Sequence, residues 1–369
     1  MRFNRFLFIS VFFSLVACQG SGEHDDDNNQ FVFNNEDVSY QWEKDRKQLL
    51  GCNNLVLLYG GGSHRAHLWD SEYITPYVTY VDENKKEHWL FDGFLFLEIH
   101  NGIDKEFTAG MKRNPANKQD WKGLADYYFQ SETALGALDN AIASAITRIG
   151  IPSTKRRVVI AIPEPIYGQT DWGGLGSKAM LNFSDDNDRI AACEWYINYV
   201  RAKFNHMKYK YIELSGFYWI AEQSKGTKTI LSKLATYLNL LKYTFNWIPY
   251  FNASGYSEWK SYGFNYAYYQ PNYFFNEKVP ISRLEAACNA AKTYDLGLEM
   301  EFDERLFTGF AYRLSDYMSA FKKYGVWDSK RIAYYQGGYT FYNLSKSDKP
   351  AYVKLYNELC HFIIDRPLY

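Results

Sequence analysis

The chain has 369 residues, 41 of them basic and 42 acidic, for a formal net charge of −1. That length supports one large domain with a sizeable core, and the charge balance leaves no footprint for a polyanion, which argues against nucleic acid as a partner. Aromatic residues reach 19%, with 33 Tyr and 10 Trp. Tyr and Trp in such numbers need surfaces where one end of the ring stays wet, and sugar-binding clefts are such surfaces.

The N-terminus carries Arg2 and Arg5, then the apolar run Phe6–Ala17, then Cys18. This is a charged segment followed by an apolar one too short to span a bilayer, the pattern of an export signal over residues 1–17. Leu15-Val16-Ala17-Cys18 resembles a bacterial lipobox, which makes Cys18 the lipidated residue and the lipid the chain's one attachment to a membrane. Residues 18–30 hold Glu23, Asp25, Asp26 and Asp27 among Gly, Ser and Asn, without an aliphatic side chain. They bury no core and read as a solvated tether. An acidic run directly after the lipid Cys resembles surface-export signals, so the outer face of an outer membrane is the expected location, with the periplasmic leaflet as the alternative. Cys52, Cys193, Cys288 and Cys360 are widely spaced and lack a C-x-x-C pair, which favours buried free thiols over a zinc cluster.

After a polar and aromatic strap, Phe31–Leu50, strands and helices alternate. The predicted strands are Leu55–Tyr59, Trp89–Ile99, Arg157–Ile162, Tyr211–Trp219, Thr244–Phe251, Gly263–Tyr269, Leu296–Glu304 and Arg331–Tyr335. Residues 68–80 read as a short connection. Helical patterns run through Ile149 in one long stretch, then over Asp188–Phe204, Thr227–Leu241, Ile281–Tyr294, Gly309–Tyr324 and Tyr352–Ile364. Asp185 or Asp186 reads as a cap of the first of these and Ser282 with Glu285 as a capping box. Eight strands with intervening helices predict an α/β fold, a single (β/α)₈ TIM barrel over residues 31–369, with extended loops after strands two and three.

In such a barrel, function sits where strands end. The predicted ends carry His64 and Arg65 (strand one), Glu98 (two), Glu164 (three), Tyr218, Trp219 and Glu222 (four), Tyr250 and Asn252 (five), and Gln270, Asn272 and Tyr273 (six). Strand seven reads L-G-L-E-M-E-F-D-E, so Glu299, Glu301 and Asp303 share one face, and strand eight adds Tyr335. An internal strand does not carry a row of acids without a task. Glycoside hydrolysis needs one carboxylic acid to protonate the leaving oxygen and one carboxylate opposite it. Glu222 is the expected acid/base, its pKa raised by desolvation beside Tyr218 and Trp219. Glu301 is the expected nucleophile, with Glu299 the alternative. The competing reading pairs these acids with Arg65, Arg305 or Lys as buried ion pairs.

Gly60-Gly61-Gly62-Ser63-His64-Arg65 has the amides and cation to cradle a phosphate or sulfate, but it departs from the nucleotide loop G-x-x-x-x-G-K-[ST]; close backbone approach at the barrel rim is the plainer reading. His64, His67, Glu98 and His100 match no metal-protease spacing, and neither a metal nor a cofactor is expected. No G-x-S-x-G elbow stands out for acyl transfer.

Asn54–Gly60, Leu90–Leu95, Gly216–Trp219 with Glu222, Ile248-Pro249-Tyr250, Gln270–Tyr273 and Gly297–Phe302 together resemble the domain-of-unknown-function 4855 family of Bacteroidetes and Firmicutes surface proteins. The resemblance spans nearly all of the chain after the tether and implies a glycosidase-like barrel acting in glycan utilisation, without assigning catalytic residues. Two functions therefore stand: a surface glycoside hydrolase, retaining in mechanism, on a polysaccharide or complex glycan; or a glycan-binding lipoprotein on a silent barrel with Trp219, Tyr250 and Tyr273 as platforms.

Overall fold

The computed structural model of the protein describes residues 50–367. The expected export signal, the lipidated Cys18, the tether and, but for Leu50, the strap lie outside the described residues. Eight parallel strands close into a barrel: β1 (Asn54–Tyr59), β2 (Gly93–Leu97), β3 (Arg156–Ile162), β4 (Ile212–Trp219), β5 (Thr244–Trp247), β6 (Tyr266–Tyr269), β7 (Gly297–Glu301) and β8 (Ile332–Tyr335), with β8 paired back onto β1. Both faces of these strands are covered, which is why β1 and β2 read as unbroken apolar runs instead of alternating. The outer layer comprises α1 (Ser71–Val78), α2 (Lys118–Tyr128), α3 (Ala134–Ile149), α4 (Asp186–Met207), α5 (Lys228–Leu240), α6 (Ser282–Tyr294), α7 (Ala311–Lys323), α8 (Thr340–Ser345) and α9 (Pro350–Ile364). Among the described residues, no helix is long and apolar enough to cross a membrane.

The predicted elements hold with instructive departures. Residues 71–78 form α1, capped by Asp70, whose carboxylate accepts the Glu72 and Tyr73 amides. The predicted second strand divides: Glu87–Trp89 pairs with Thr79–Val81 in a small antiparallel ribbon outside the barrel, and only Gly93–Leu97 enters it. The long pattern ending at Ile149 is two helices, α2 and α3. Strand five stops at Trp247, two residues before Pro249, which has no N–H for a ladder. Asp185 is the cap of α4. The capping box expected at Ser282 does not form: α6 starts with a tight turn from the Arg283 amide to the Pro280 carbonyl, and Ser282 is already its first helical residue. A capping box forms instead between Asn117 and Asp120 at the start of α2. The four described cysteines are free and buried.

Register decides which side chains enter the barrel. In a parallel ladder paired residues point the same way, and pairing carries one set around the closed sheet: Tyr59, Leu97, Ala161, Tyr218, Asn246, Tyr268, Glu299 and Glu301, and Tyr335. One irregularity matters. Val158 pairs with Leu214 and Val159 with Gly216, so Ser215 is an extra residue in β4. Its hydroxyl donates to the Val158 carbonyl at 3.1 Å. This bulge switches the alternation of β4, turning Gly216 and Tyr218 inward and Trp219 outward. Gly216 is required there, because a Cβ would lie 2.0 Å from Thr244 Oγ1.

Candidate active site

The inward acids of β7 occupy the upper half of the barrel. Leu298 and Met300 face the helices and are fully buried, while Glu299 and Glu301 point inside and are 2% and 1% exposed. Glu301 is the last strand residue, and its Oε2 accepts the hydroxyl of Tyr317 from α7. Oε1 of Glu299 and Oε1 of Glu301 are buried without a hydrogen-bond partner of ordinary geometry. Among the described residues, no ion pair involves Glu222, Glu299 or Glu301. Two of the expected ion pairs form elsewhere: Arg65 grips Glu98 with Nε and Nη2, both at 2.6 Å, and Arg305 grips Asp303. Asp303 also accepts the Arg305 amide and so caps a short 3₁₀ helix, Glu304–Thr308, lying beyond β7 and not on it.

Glu222 stands three residues past β4 and is exposed. Gln270, beyond β6, donates Nε2 to Glu222 Oε1 at 3.0 Å and to the Ile248 carbonyl at 3.1 Å. Desolvation by the surrounding rim raises the Glu222 pKa, and the Gln270 bond lowers it. Its charge acts on both inner acids. Burial pushes Glu301 up to about 8, against the pull of the Tyr317 hydroxyl and the Asn272 and Tyr273 amides, which favour its anion. Glu299 is raised well above the usual carboxyl range by burial, then by the charges of Glu301 and Glu222. The three carboxyls form one electrostatic unit, and the inner two titrate as a pair.

Asn272 and Asn252 hold the rim with left-handed backbones, φ 49° and 61°, a conformation Asn tolerates better than most residues. Asn272 Oδ1 accepts the Phe251 amide at 3.0 Å, tying the loops after β5 and β6 together. The Asn252 amide donates to Tyr269 at 2.8 Å. Tyr250 donates to Gln223 at 3.1 Å, beside Glu222. Tyr335 meets Tyr59 and Phe275 edge-on, at 5.8 and 5.6 Å between ring centres.

The remaining sequence candidates divide. Tyr218 joins the interior, and its pKa is raised by burial, then by Glu222 and Glu299. Trp219 does not line the mouth: it is fully buried on the helix side of β4, at 6.4 Å from the Phe245 ring. Tyr273 is no open platform either, because its hydroxyl donates to Asp316 at 2.7 Å and the Arg313 guanidinium covers its ring at 3.7 Å. Glu164 accepts from Thr108 Oγ1 at 3.0 Å and from the Ala109 amide at 2.8 Å, bracing the excursion after β2. His64 stacks on His100 at 4.0 Å, whereas His67 turns to Tyr73, 2.8 Å from its hydroxyl. Among the described residues no group of three or more His, Cys, Asp or Glu is arranged to hold a metal ion. Tyr317 and Tyr59 were missed. Tyr59 was legible as the last residue of strand one, but nothing in the helical pattern around Tyr317 marks it as a partner of Glu301. A surface groove lined by Ser315, Met318, Lys322, Val353 and Lys354 lies between α7 and α9 on the outside and contains none of the three acids.

The sequence pattern of the domain of unknown function DUF4855 matches residues 54–361. The chain belongs to this family. The DUF4855 domain thus coincides with the barrel, from the first strand into the last helix. No curated protein matches the chain. Among solved structures, ribulose-1,5-bisphosphate carboxylase/oxygenase from Pyrococcus horikoshii is similar at 7% identity and a TM-score of 0.41, covering 87% of this chain and 61% of that one. The carboxyl transferase domain of Rhizobium etli pyruvate carboxylase, solved with pyruvate, is similar at 10% identity and a TM-score of 0.38, covering 88% and 51%. The chain therefore spans about half to three-fifths of the length of these structures.

Proposed function

We propose that this DUF4855 domain is a retaining glycoside hydrolase, displayed on the cell surface through lipid on Cys18. The observation that carries this reading is that three carboxyls at the barrel mouth, one exposed and two buried, act on one another while none of them is held in an ion pair among the described residues. Glu222 is the acid/base. It is reachable by solvent, its proton is favoured by desolvation, and Gln270 fixes its orientation. Glu301 is the nucleophile. It lies at the strand terminus, and Tyr317 with the Asn272 and Tyr273 amides favours its anion. Glu299, one layer deeper and more strongly raised, carries the proton that the pair retains.

In this mechanism Glu222 protonates the leaving oxygen while Glu301 attacks the anomeric carbon. Glu222 then deprotonates the water that releases the glycosyl group. Retention calls for the closer carboxyl spacing of roughly 5–5.5 Å, with Glu301 near enough to bond the anomeric carbon. Glu301 is 1% exposed, so side chains at the rim must move aside as a sugar enters. The silent-barrel alternative loses support, since Trp219 faces the helices and Tyr273 is covered.

The test is hydrolysis of a panel of polysaccharides and aryl glycosides by the wild-type protein, Glu222→Gln and Glu301→Gln. Turnover by wild type, loss in both variants and a first-formed product of retained anomeric configuration, seen by proton NMR, support the reading. Undiminished turnover in either variant overturns it.

A further inference from the structure

The loops after β1 and β2 build a second feature of the mouth that acid/base chemistry leaves unused. The chain from Asn101 to Pro115 folds back, pairing Lys105–Glu106 with Asn114–Pro115, and brings Arg113 toward the Gly60–Arg65 loop. The two loops are stitched by the Ser63 amide and hydroxyl, which donate to the Asn101 carbonyl at 2.8 and 3.1 Å. They also pack without spare room: a Cβ on Gly102 would lie 2.5 Å from the His64 amide nitrogen. On this support the imidazoles of His64 and His100 stack at 4.0 Å, His64 exposed and His100 partly so.

The polar groups of this wall point one way chemically. His100 Nδ1 accepts the Gly102 amide at 3.1 Å, which leaves the proton of the neutral ring on Nε2 as a donor. His64 makes no hydrogen bond to any described residue. Among the described residues, Arg65 spends Nε and Nη2 on Glu98 and leaves Nη1 without a hydrogen bond, while Arg113 donates only to the carbonyl of Ile103. The charged groups acting on the two imidazoles are Arg65, Arg113 and Glu98, two cations against one carboxylate, a balance of +1 before either ring is protonated. Burial, Arg113 and Arg65 lower both imidazole pKa values, His64 lowers that of His100 as well, and Glu98 opposes them. A bound anion would reverse that shift. The wall is continuous with the mouth: Arg65 lies 5.1 Å above the Tyr59 ring, and Glu299 and Glu222 act on Tyr59 from inside.

We infer that His64, His100, Arg113 and the free edge of Arg65 bind an anionic substituent, a carboxylate or a sulfate ester, on the glycan taken into the mouth. The inference rests on the glycan reading for its substrate class, but binding of the anion stands apart from turnover. A cationic subsite of this kind sets specificity for acidic over neutral sugars through charge-assisted hydrogen bonds.

The experiment is a titration of the protein, labelled with ¹³C at the histidine ring, with glucuronate, glucose 6-sulfate and glucose. His64→Gln and His100→Gln identify the two signals among the seven histidines. Glucuronate or glucose 6-sulfate should shift both signals and raise both imidazole pKa values, and whichever acts more strongly names the substituent. Glucose should do neither. Arg113→Gln should weaken the response roughly tenfold, and affinity should rise as pH falls and the imidazoles gain protons. Absence of a response to both acids, an equal response to glucose, or unchanged affinity in Arg113→Gln overturns the inference. Glu222→Gln should keep the full anion response while losing turnover, so failure of the hydrolase reading and failure of this one are separately visible.

Discussion

The two ends of the barrel hold their carboxyl groups in opposite ways. At the N-terminal end, Asp92 accepts the Asn53 and Asn54 amides at 2.9 and 2.7 Å, and Glu213 pairs with Arg157 at 2.5 Å. Arg366 closes that end: Nη1 reaches the Asn53 carbonyl at 2.7 Å and Asn54 Oδ1 at 2.6 Å, and Nε reaches the Trp327 carbonyl at 2.9 Å. At the C-terminal end, Glu299 and Glu301 each keep a buried oxygen without a partner. An unsatisfied buried polar atom costs about 1–3 kcal/mol, and an unpaired buried charge more. The bottom pairs its acids, although Arg156 Nε and Arg331 Nε there are buried without a hydrogen-bond partner, whereas the top leaves two buried carboxyls without a cation in contact. On the proposed function, stability is given up where groups react.

The largest expected break in this contrast is at the top. Glu222→Gln and Glu301→Gln should each lower kcat by roughly two to four orders of magnitude without lowering the melting temperature, as read by steady-state assays beside calorimetry. A variant that loses activity only by unfolding would erase the distinction between the ends. Arg366→Met should act in the reverse sense. It removes a buried guanidinium that donates to four acceptors, of which the Asn53 carbonyl and Asn54 Oδ1 keep the Ile332 amide and the Tyr334 hydroxyl, and should cost about 3 kcal/mol in denaturant titrations, with turnover per folded molecule unchanged.

Glu299→Gln sharpens the comparison through pH. The folded pKa of the inner pair is raised, with Glu301 at about 8. Its stabilising contribution is therefore complete below the unfolded carboxyl pKa of about 4.3 and is lost as pH rises through the folded value. Glu299→Gln should consequently be more stable than wild type, by a margin that vanishes in acid and grows as pH rises above about 4. A constant margin would show that Glu299 is not held protonated. Tyr317→Phe is the smallest perturbation. Removing the donor to Glu301 should move the acidic limb of the kcat/KM profile upward by about one to two pH units, and an unmoved limb would detach Tyr317 from the reacting carboxylate.

The chain's own order of residues determined a good deal. Unbroken apolar strands alternating with amphipathic helices specify a barrel, because a parallel strand must be covered on both faces. The period of two in Gly297–Glu301 placed Glu299 and Glu301 on one face, since side-chain alternation is a local property of the strand. The ion-pair alternative was legible as well, and for Glu98 with Arg65 and Asp303 with Arg305 it is what forms. Three things were decided only by tertiary structure. The Ser215 bulge exchanged the roles of Tyr218 and Trp219, and a bulge exists only relative to the neighbouring strand. Tyr317 met Glu301 because α7 packs behind β7, a contact that no spacing encodes. His100 and Arg113 came to stand against His64 because an irregular excursion folded back across the rim, and such a path depends on packing instead of periodicity.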